Sequence, residues 1–130
     1  MIALDTSGAV ALVNRRDPNH LAAKEASTPG GLVAPALVLG EMAYMIGDRA
    51  GEPTLLRFLE GFEDGTTLLD CGDTDLPRVH ELMRRYSDLR LGFAYAAVIA
   101  CAERIGGEVL TFDRRDFEVV ARDLPITLLP

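Results

Sequence analysis

Residues Leu91–Phe117 read LGFAYAAVIACAERIGGEVLTFDRRDF. The small and apolar residues Ala94 to Ile105 form a helix, and Gly106-Gly107 ends it. Val109 to Thr111 then makes a short β-type run that empties into Asp113 and a burst of charge. A helix, a glycine break, an apolar strand and an acid in that order form one repeat of an α/β chain. In such chains the strand is covered on both faces and therefore reads as continuously apolar.

The N-terminus repeats the pattern. Met1 to Leu4 is apolar and stops at Asp5, with Thr6 and Ser7 placed to cap a helix over about Gly8 to Asn14. The loop RRDPNH leads to a helix near Leu21 to Ala26, and STPGG turns the chain. Leu32 to Ala34 is the next strand. Pro35 is expected at the first position of a helix that runs to about Arg49 and carries Glu41. Glu52 to Phe62 is a further amphipathic helix, and Thr67 to Leu69 a third strand. Asp73 and Thr74 are expected to cap a helix to Tyr86, with Leu76, Val79, Leu82 and Met83 on one face. Asp116 to Ala121 makes one or two helical turns and Ile126 to Leu129 a last strand. Strands alternate with helices, so the expected fold is α/β with a mainly parallel sheet. Its 130 residues are expected to form a single domain, with no repeat and no linker.

Composition narrows the function. The net charge is −7, which argues against a protein that grips nucleic acid through a broad basic face. It leaves room for an enzyme whose acids hold a divalent cation. The basic residues are Arg with one exception, Lys24. No apolar run is long enough to span a membrane, and MIALDTS lacks the basic start of a secretory signal, so a cytoplasmic location is expected. Cys71 and Cys101 match no metal-binding spacing and are expected to be buried reduced thiols. His20 and His80 are expected at the surface or at helix ends.

In parallel sheets, sites form beyond the carboxyl ends of the strands. Asp5 and Asp113 occupy such ends, and Glu41 lies in the helix after the second strand among apolar neighbours. Three converging acids repel unless a cation lies between them, and Mg²⁺ or Mn²⁺ suits carboxylate and water ligands. Such centres bind phosphate oxygens and activate water toward phosphodiesters. Each acid also has an ordinary reading: Asp5 as a helix cap, Asp113 as a turn acid, and Glu41 as the partner of an arginine such as Arg104.

The stretches IALDTS, NRRDPNH, ALVLGEMAY, YSDLRLGFAYAAVIACAERIGG and VLTFDRRDF together resemble the PIN-domain ribonucleases, and more closely the VapC toxins of bacterial toxin–antitoxin pairs. The resemblance covers essentially the whole chain. It implies a three-layer α/β/α PIN-like fold with about five strands, and an acidic pocket that binds Mg²⁺ (or Mn²⁺). It further implies metal-dependent cleavage of RNA of the tRNA or rRNA class, a cognate VapB-type antitoxin, and a homodimer. Carried over, Asp5, Glu41 and Asp113 look like metal-ligating and catalytic acids, with Asp116 accessory and Thr6, Ser7 and Thr111 supporting. Arg15, Arg16, Arg114 and Arg115 are candidate phosphate contacts, or else solvated loop charges.

One position departs from the pattern. Where the family carries an acid between two alanine-type residues, this chain has Ala94-Tyr95-Ala96. A phenol is neutral at pH 7 and a poor Mg²⁺ ligand. Without the resemblance, Tyr95 reads as a core aromatic at a helix start. With it, Tyr95 stands for a missing ligand, and Asp88 is a distant substitute. The expected function is thus a metal-dependent endoribonuclease toxin with weakened or abolished cleavage. The alternative is a catalytically inactive module of the same fold that engages an antitoxin or RNA. A phosphoacceptor or phosphatase domain fits poorly, because the first strand carries DTS rather than DxD and the only Lys is far from Asp113.

Overall fold

A computed structural model describes residues 1–130. The strands are β1 (Ile2–Leu4), β2 (Leu32–Pro35), β3 (Thr67–Asp70), β4 (Glu108–Leu110) and β5 (Thr127–Leu129). The helices are α1 (Thr6–Val13), α2 (His20–Ser27), α3 (Leu39–Ala50), α4 (Glu52–Asp64), α5 (Leu76–Arg85), α6 (Phe93–Ile105) and α7 (Arg114–Asp123). All neighbouring strands are parallel, in the order β3-β2-β1-β4-β5, and helices cover both faces in three layers. No helix is long and apolar enough to cross a membrane.

The strand order explains where a site must form. From β1 the chain moves outward to β2 and β3 on one side, then returns to β4 and β5 on the other. The crossovers leave β1 and β4 in opposite directions, which opens a crevice beyond their carboxyl ends. Asp5 follows β1 directly, and Thr111 and Asp113 follow β4.

Small residues make the helical layer close. From Ala96 to Ala102 every residue of α6 is buried, and the helix packs on β1, β2 and β4. Gly8 performs the matching role in α1. A Cβ there would lie far inside van der Waals contact with the Leu110 carbonyl oxygen, so only glycine lets α1 cross β4 at this distance.

Several local expectations change. Pro35 ends β2 instead of opening a helix, and a 3-10 turn over Ala36–Val38 precedes α3. Pro35 keeps an extended backbone (φ −64°, ψ 123°) that suits the close of a strand. Thr6 and Ser7 lie inside α1, and the flanking Asp5 makes no side-chain cap bond. Asp73 and Thr74 belong to a 3-10 turn, and α5 starts at Leu76 without a side-chain cap. The last helix is longer than one or two turns, because Phe117 and Val120 bury its inner face.

Cys71 and Cys101 are buried, as expected, but they are not free thiols. They form a disulfide with a Cα–Cα distance of 5.4 Å. Thirty residues separate them in the chain, so spacing alone carried no sign of the pairing. The bridge ties α6 to the turn after β3. Beside it Arg104 of α6 donates to both oxygens of Asp75 at 3.0 Å and to Asp70 at 3.2 Å. Arg78 of α5 holds Glu103 of α6 through two bonds of 2.8 and 2.9 Å. The C-terminal half of α6 is therefore fixed on three sides, and its first turn, with Tyr95, is carried rigidly toward the crevice.

Candidate functional site

The crevice is a cavity of about 390 Å³. Asp5, Glu41 and Asp113 all line it, together with Tyr95. Three helices, α1, α6 and α7, begin at this edge of the sheet, and their N-terminal ends favour negative charge nearby.

Asp5 is the buried member, 5% exposed. Its Oδ2 accepts the hydroxyls of Ser7 and Thr111, each at 2.8 Å. The same two hydroxyls also hold the β4 end. Ser7 Oγ accepts the Phe112 backbone N–H at 2.9 Å, and Thr111 Oγ1 accepts the Asp113 N–H at 3.0 Å. Burial pushes the Asp5 carboxyl above the ordinary carboxylate range. The Thr111 and Ser7 hydroxyls and the Thr6 backbone pull it back, and the charge of Asp113 adds to the rise.

Glu41 differs from expectation. It is exposed at the rim instead of lying on a buried helix face, and its Oε2 accepts the Thr6 hydroxyl at 2.7 Å. Arg104 is not its partner, being engaged by Asp70 and Asp75. Thr6 and Ser7 thus position two acids instead of capping α1.

Asp113 is exposed, and its Oδ2 accepts the phenolic hydrogen of Tyr95. The Tyr95 ring packs edge-on against Phe117 of α7, with centroids 5.1 Å apart. The hydrogen bond to Asp113, then burial, then the charges of Asp113, Asp5 and Asp116 raise this phenol well above its usual range. Tyr95 therefore occupies the crevice as a neutral donor.

Other candidates fall outside the crevice. Asp116 and Asp88 do not line it. Asp88 is an exposed residue in a 3-10 turn before α6, which removes it as a substitute ligand. Arg114 donates to Glu118 and to the Pro130 carbonyl, and Arg15, Arg16 and Arg115 are exposed and absent from the cavity wall. Conversely, Arg49 lines the crevice as its one cation, and Asp17 and Asn19 line it from the α1–α2 loop. Arg49 was legible in principle, since Glu41, Met45 and Arg49 are spaced four apart and share one face of α3.

The donor set can be tested against a divalent ion. Mg²⁺ demands near-octahedral oxygen ligands at short distance. No three Asp, Glu, His or Cys side chains gather closely enough to hold an ion among them. One oxygen of Asp113 is held by a phenol, and Glu41 is drawn to Thr6. The side chains as arranged do not fit an ion held by three carboxylates. They form an incomplete acidic cradle with Tyr95 in the gap.

The fold, the acids at the β1 and β4 ends and the hydroxyl network converge on one class. A PIN-domain family model matches residues 2–123, and the chain belongs to the PIN-domain family. Within that family it is similar to Ribonuclease VapC26 of Mycobacterium tuberculosis (strain ATCC 25618 / H37Rv), with 31% identity over 121 residues, 90% of each chain. Among solved structures it resembles that of Mycobacterium tuberculosis VapC20, described as a Sarcin–Ricin loop cleaving toxin. That match has a TM-score of 0.78 and 23% identity, over 92% of this chain and 95% of the other. It also resembles FitAcB from Neisseria gonorrhoeae, with a TM-score of 0.65 and 16% identity, over 100% and 97% of the two chains. These two likenesses concern the fold alone.

Proposed function

We propose that this chain is the toxin of a VapBC-type toxin–antitoxin pair, built as an endoribonuclease and weakened in cleavage by Tyr95. The whole 130-residue chain is read as one such domain. One observation carries the reading: Asp5, Glu41 and Asp113 share a cavity in which Tyr95, not an acid, meets Asp113. Ribonuclease VapC26, a relative over 90% of the chain, supports the RNA-cleaving class. The substrate is RNA of the tRNA or rRNA class, and a site restored by Tyr95→Asp would take Mg²⁺ (or Mn²⁺), which would supply charge to polarise a phosphodiester and activate water.

The chain's own residues have distinct tasks. Asp5 is a buried charge held in one rotamer by Ser7 and Thr111. Glu41, fixed by Thr6, faces the cavity as the group suited to orient or deprotonate water. Asp113 is the acid that Tyr95 occupies, and Asp116 adds negative charge nearby. Arg49 offers a fork for a phosphate at the same cavity. An antitoxin partner, a homodimer and a cytoplasmic setting complete the proposal. Exposed Tyr44 on α3 and Leu56 on α4 offer apolar surface for protein contacts.

The test is cleavage of a structured RNA panel with Mg²⁺ or Mn²⁺, comparing this chain, Tyr95→Asp, and Tyr95→Asp/Asp5→Ala. Cutting by Tyr95→Asp alone supports the proposal. Equal cutting by this chain and Tyr95→Asp removes Tyr95 as the defect. If none cuts while the panel is cut by an authentic relative, the nuclease reading fails and a binding module of the same fold takes its place.

A further inference from the structure

A second cavity, of about 520 Å³, opens between α1, α2 and α4. Arg15, His20, Lys24 and Arg57 line it. In a chain of net charge −7 this is a local reversal of sign, and it uses the only lysine. None of Arg15, Lys24 and Arg57 forms an ion pair. The single carboxylate on the wall, Asp64, already accepts the Thr66 backbone N–H at 2.9 Å and the Thr66 hydroxyl. Hydroxyls of Ser27, Thr28 and Thr54 add further polar groups, over a floor that includes Phe58.

The groove is also joined to the acidic crevice. The α1–α2 loop puts Asp17 and Asn19 on the crevice wall and Arg15 on the groove wall, where His20 at the start of α2 joins it. The loop is held in shape by its own bonds. Arg16 N–H donates to Asn14 at 3.1 Å and Asn19 N–H to Asp17 at 2.8 Å. His20 Nδ1 meets the Ala11 carbonyl at 2.8 Å, so Nδ1 is the donor and Nε2 is left for another partner. One short, tethered loop therefore separates an acidic cavity from a basic one.

We propose that this groove is a phosphate-binding track for single-stranded RNA, which seats the backbone of a strand whose next nucleotides lie over the acidic crevice. The inference rests on the RNA-directed reading of that crevice. Cations paired with no carboxylate, of which Arg57 donates to the Thr54 hydroxyl at 3.1 Å, together with hydroxyls and a partly apolar floor are the chemistry that follows a nucleic-acid backbone. The groove also resolves an electrostatic problem, because an acidic crevice on an acidic chain repels RNA unless cations nearby hold the strand.

The experiment is fluorescence anisotropy of a labelled RNA of about twelve nucleotides across a salt series, without divalent metal. It compares this chain with Arg15→Ala/Lys24→Ala/Arg57→Ala and with a charge-matched control, Arg84→Ala/Arg85→Ala/Arg122→Ala. The groove variant is expected to bind at least about tenfold more weakly, with a salt slope shallower by about 2, as three lost single-strand phosphate contacts require. The control is expected to change less than about twofold. A second readout needs no variant: RNA should shield Lys24 from amine acetylation, read by mass.

No RNA binding, equal loss in both variants, or no loss in the groove variant overturns the proposal. Better shielding of Lys24 by a polyglutamate peptide than by RNA makes the groove a peptide dock. Equal shielding by a free nucleoside monophosphate makes it a nucleotide site. Because the readouts need neither metal nor cleavage, a silent Tyr95→Asp variant sinks the nuclease reading alone. Cutting by Tyr95→Asp with unchanged binding in the groove variant sinks only the track.

Discussion

Tyr95, in the first turn of α6, donates its phenolic hydrogen to Asp113 at the N-terminal end of α7, across the crevice that opens between β1 and β4. The bond joins two elements whose other ends are fixed separately, α6 by the disulfide and ion pairs and α7 by its packing on β5. It also gives the exposed Asp113 carboxylate a neutral donor on its crevice side. The crevice is thus closed by a hydrogen bond where an ion would close an all-acid version.

That substitution has a thermal consequence independent of activity. Tyr95→Asp adds a carboxylate to a crevice already lined by Asp5, Asp17, Glu41 and Asp113, and like charges repel. The variant should melt below this chain in metal-free buffer. On adding Mg²⁺ or Mn²⁺ to about 100 times its dissociation constant, it should regain about 2.7 kcal/mol, while this chain should shift little. Differential scanning calorimetry with and without metal decides it. An equal metal shift in both proteins would mean that Tyr95 does not block the cradle.

The Tyr95–Asp113 bond also sets an alkaline signature. The folded phenol is raised above the usual value of about 10, chiefly by its bond to Asp113. The sign follows from linkage: the contribution is whole below about pH 10 and is lost as pH rises from there through the folded value. Tyr95→Phe should therefore flatten the fall in stability above about pH 10. Urea melts between neutral pH and pH 11 would show it, and parallel curves for the two proteins would contradict the bond.

Asp5 gives the opposite kind of test, in the acid range. Burial raises its folded pKa above the unfolded value near 3.9, so the ionised form is disfavoured in the folded chain. Its contribution to stability is whole below the unfolded value and is lost as pH rises through the folded value. Asp5→Asn should then stabilise the protein at pH 7, with the gain shrinking as pH falls toward the unfolded value. Denaturant melts at pH 7 and near the unfolded value check this. A loss of stability at pH 7 would mean that the Ser7 and Thr111 hydroxyls outweigh the desolvation of the charge.

Much of this arrangement could be read before any coordinates. Ile2–Leu4 runs directly into Asp5, and Val109–Leu110 is followed by Thr111, Phe112 and Asp113, so in an alternating α/β chain both acids fall at one edge of a parallel sheet. The opening IALDTS with the stretches YSDLRLGFAYAAVIACAERIGG and VLTFDRRDF carries the family, which the PIN match over residues 2–123 bears out. What stayed hidden depends on tertiary approach. Cys71 and Cys101 meet only because α6 lies over the β3 exit. Glu41 faces the rim because the buried face of α3 is the one that carries Met42 and Ile46. Asp17 and Asn19 reach the crevice from a loop whose sequence says only that it turns. Pro35 is ambiguous in the sequence, because strand ends and helix starts accept the same proline φ.

The disulfide departs furthest from the sequence expectation, and its effect on stability is quantitative. Closing a loop with a sequence separation of 30 removes chain entropy from the unfolded state worth about 3 to 4 kcal/mol. Both sulfurs are buried, so reduction should be slow in the native protein and fast once it unfolds. Cys71→Ala/Cys101→Ala, or the chain reduced in denaturant and refolded, should melt roughly 10 °C lower than the oxidised chain. Because the bridge anchors the helix that carries Tyr95, the loss should appear first in hydrogen exchange along α6. A double variant that matches the oxidised chain in melting temperature and in α6 protection would show that Arg104 and Arg78 hold this helix without the bridge.

Gly8 ties the fold to the site most directly. Any Cβ at this position overlaps the Leu110 carbonyl, and Leu110 C=O also accepts the Asp5 backbone N–H at 3.1 Å. Gly8→Ala must therefore push α1 away from β4 or distort the ladder that carries Asp5. Overpacking of this kind costs about 1–3 kcal/mol, against which the helix preference of Ala over Gly returns about 1 kcal/mol. The net expectation is a modest loss of stability. It should come with a disproportionate loss at the site, since Ser7 and Thr6 move with α1 while Thr111 stays with β4. The measurement is a pair: melting temperature for the fold, and metal-induced stabilisation in the Tyr95→Asp background for the site. If Gly8→Ala lowers the first by a few degrees and abolishes the second, the close crossing of α1 over β4 is what holds the acids in register. If both are unchanged, the helix relaxes freely at this contact, and the hydroxyl network alone sets the geometry of Asp5.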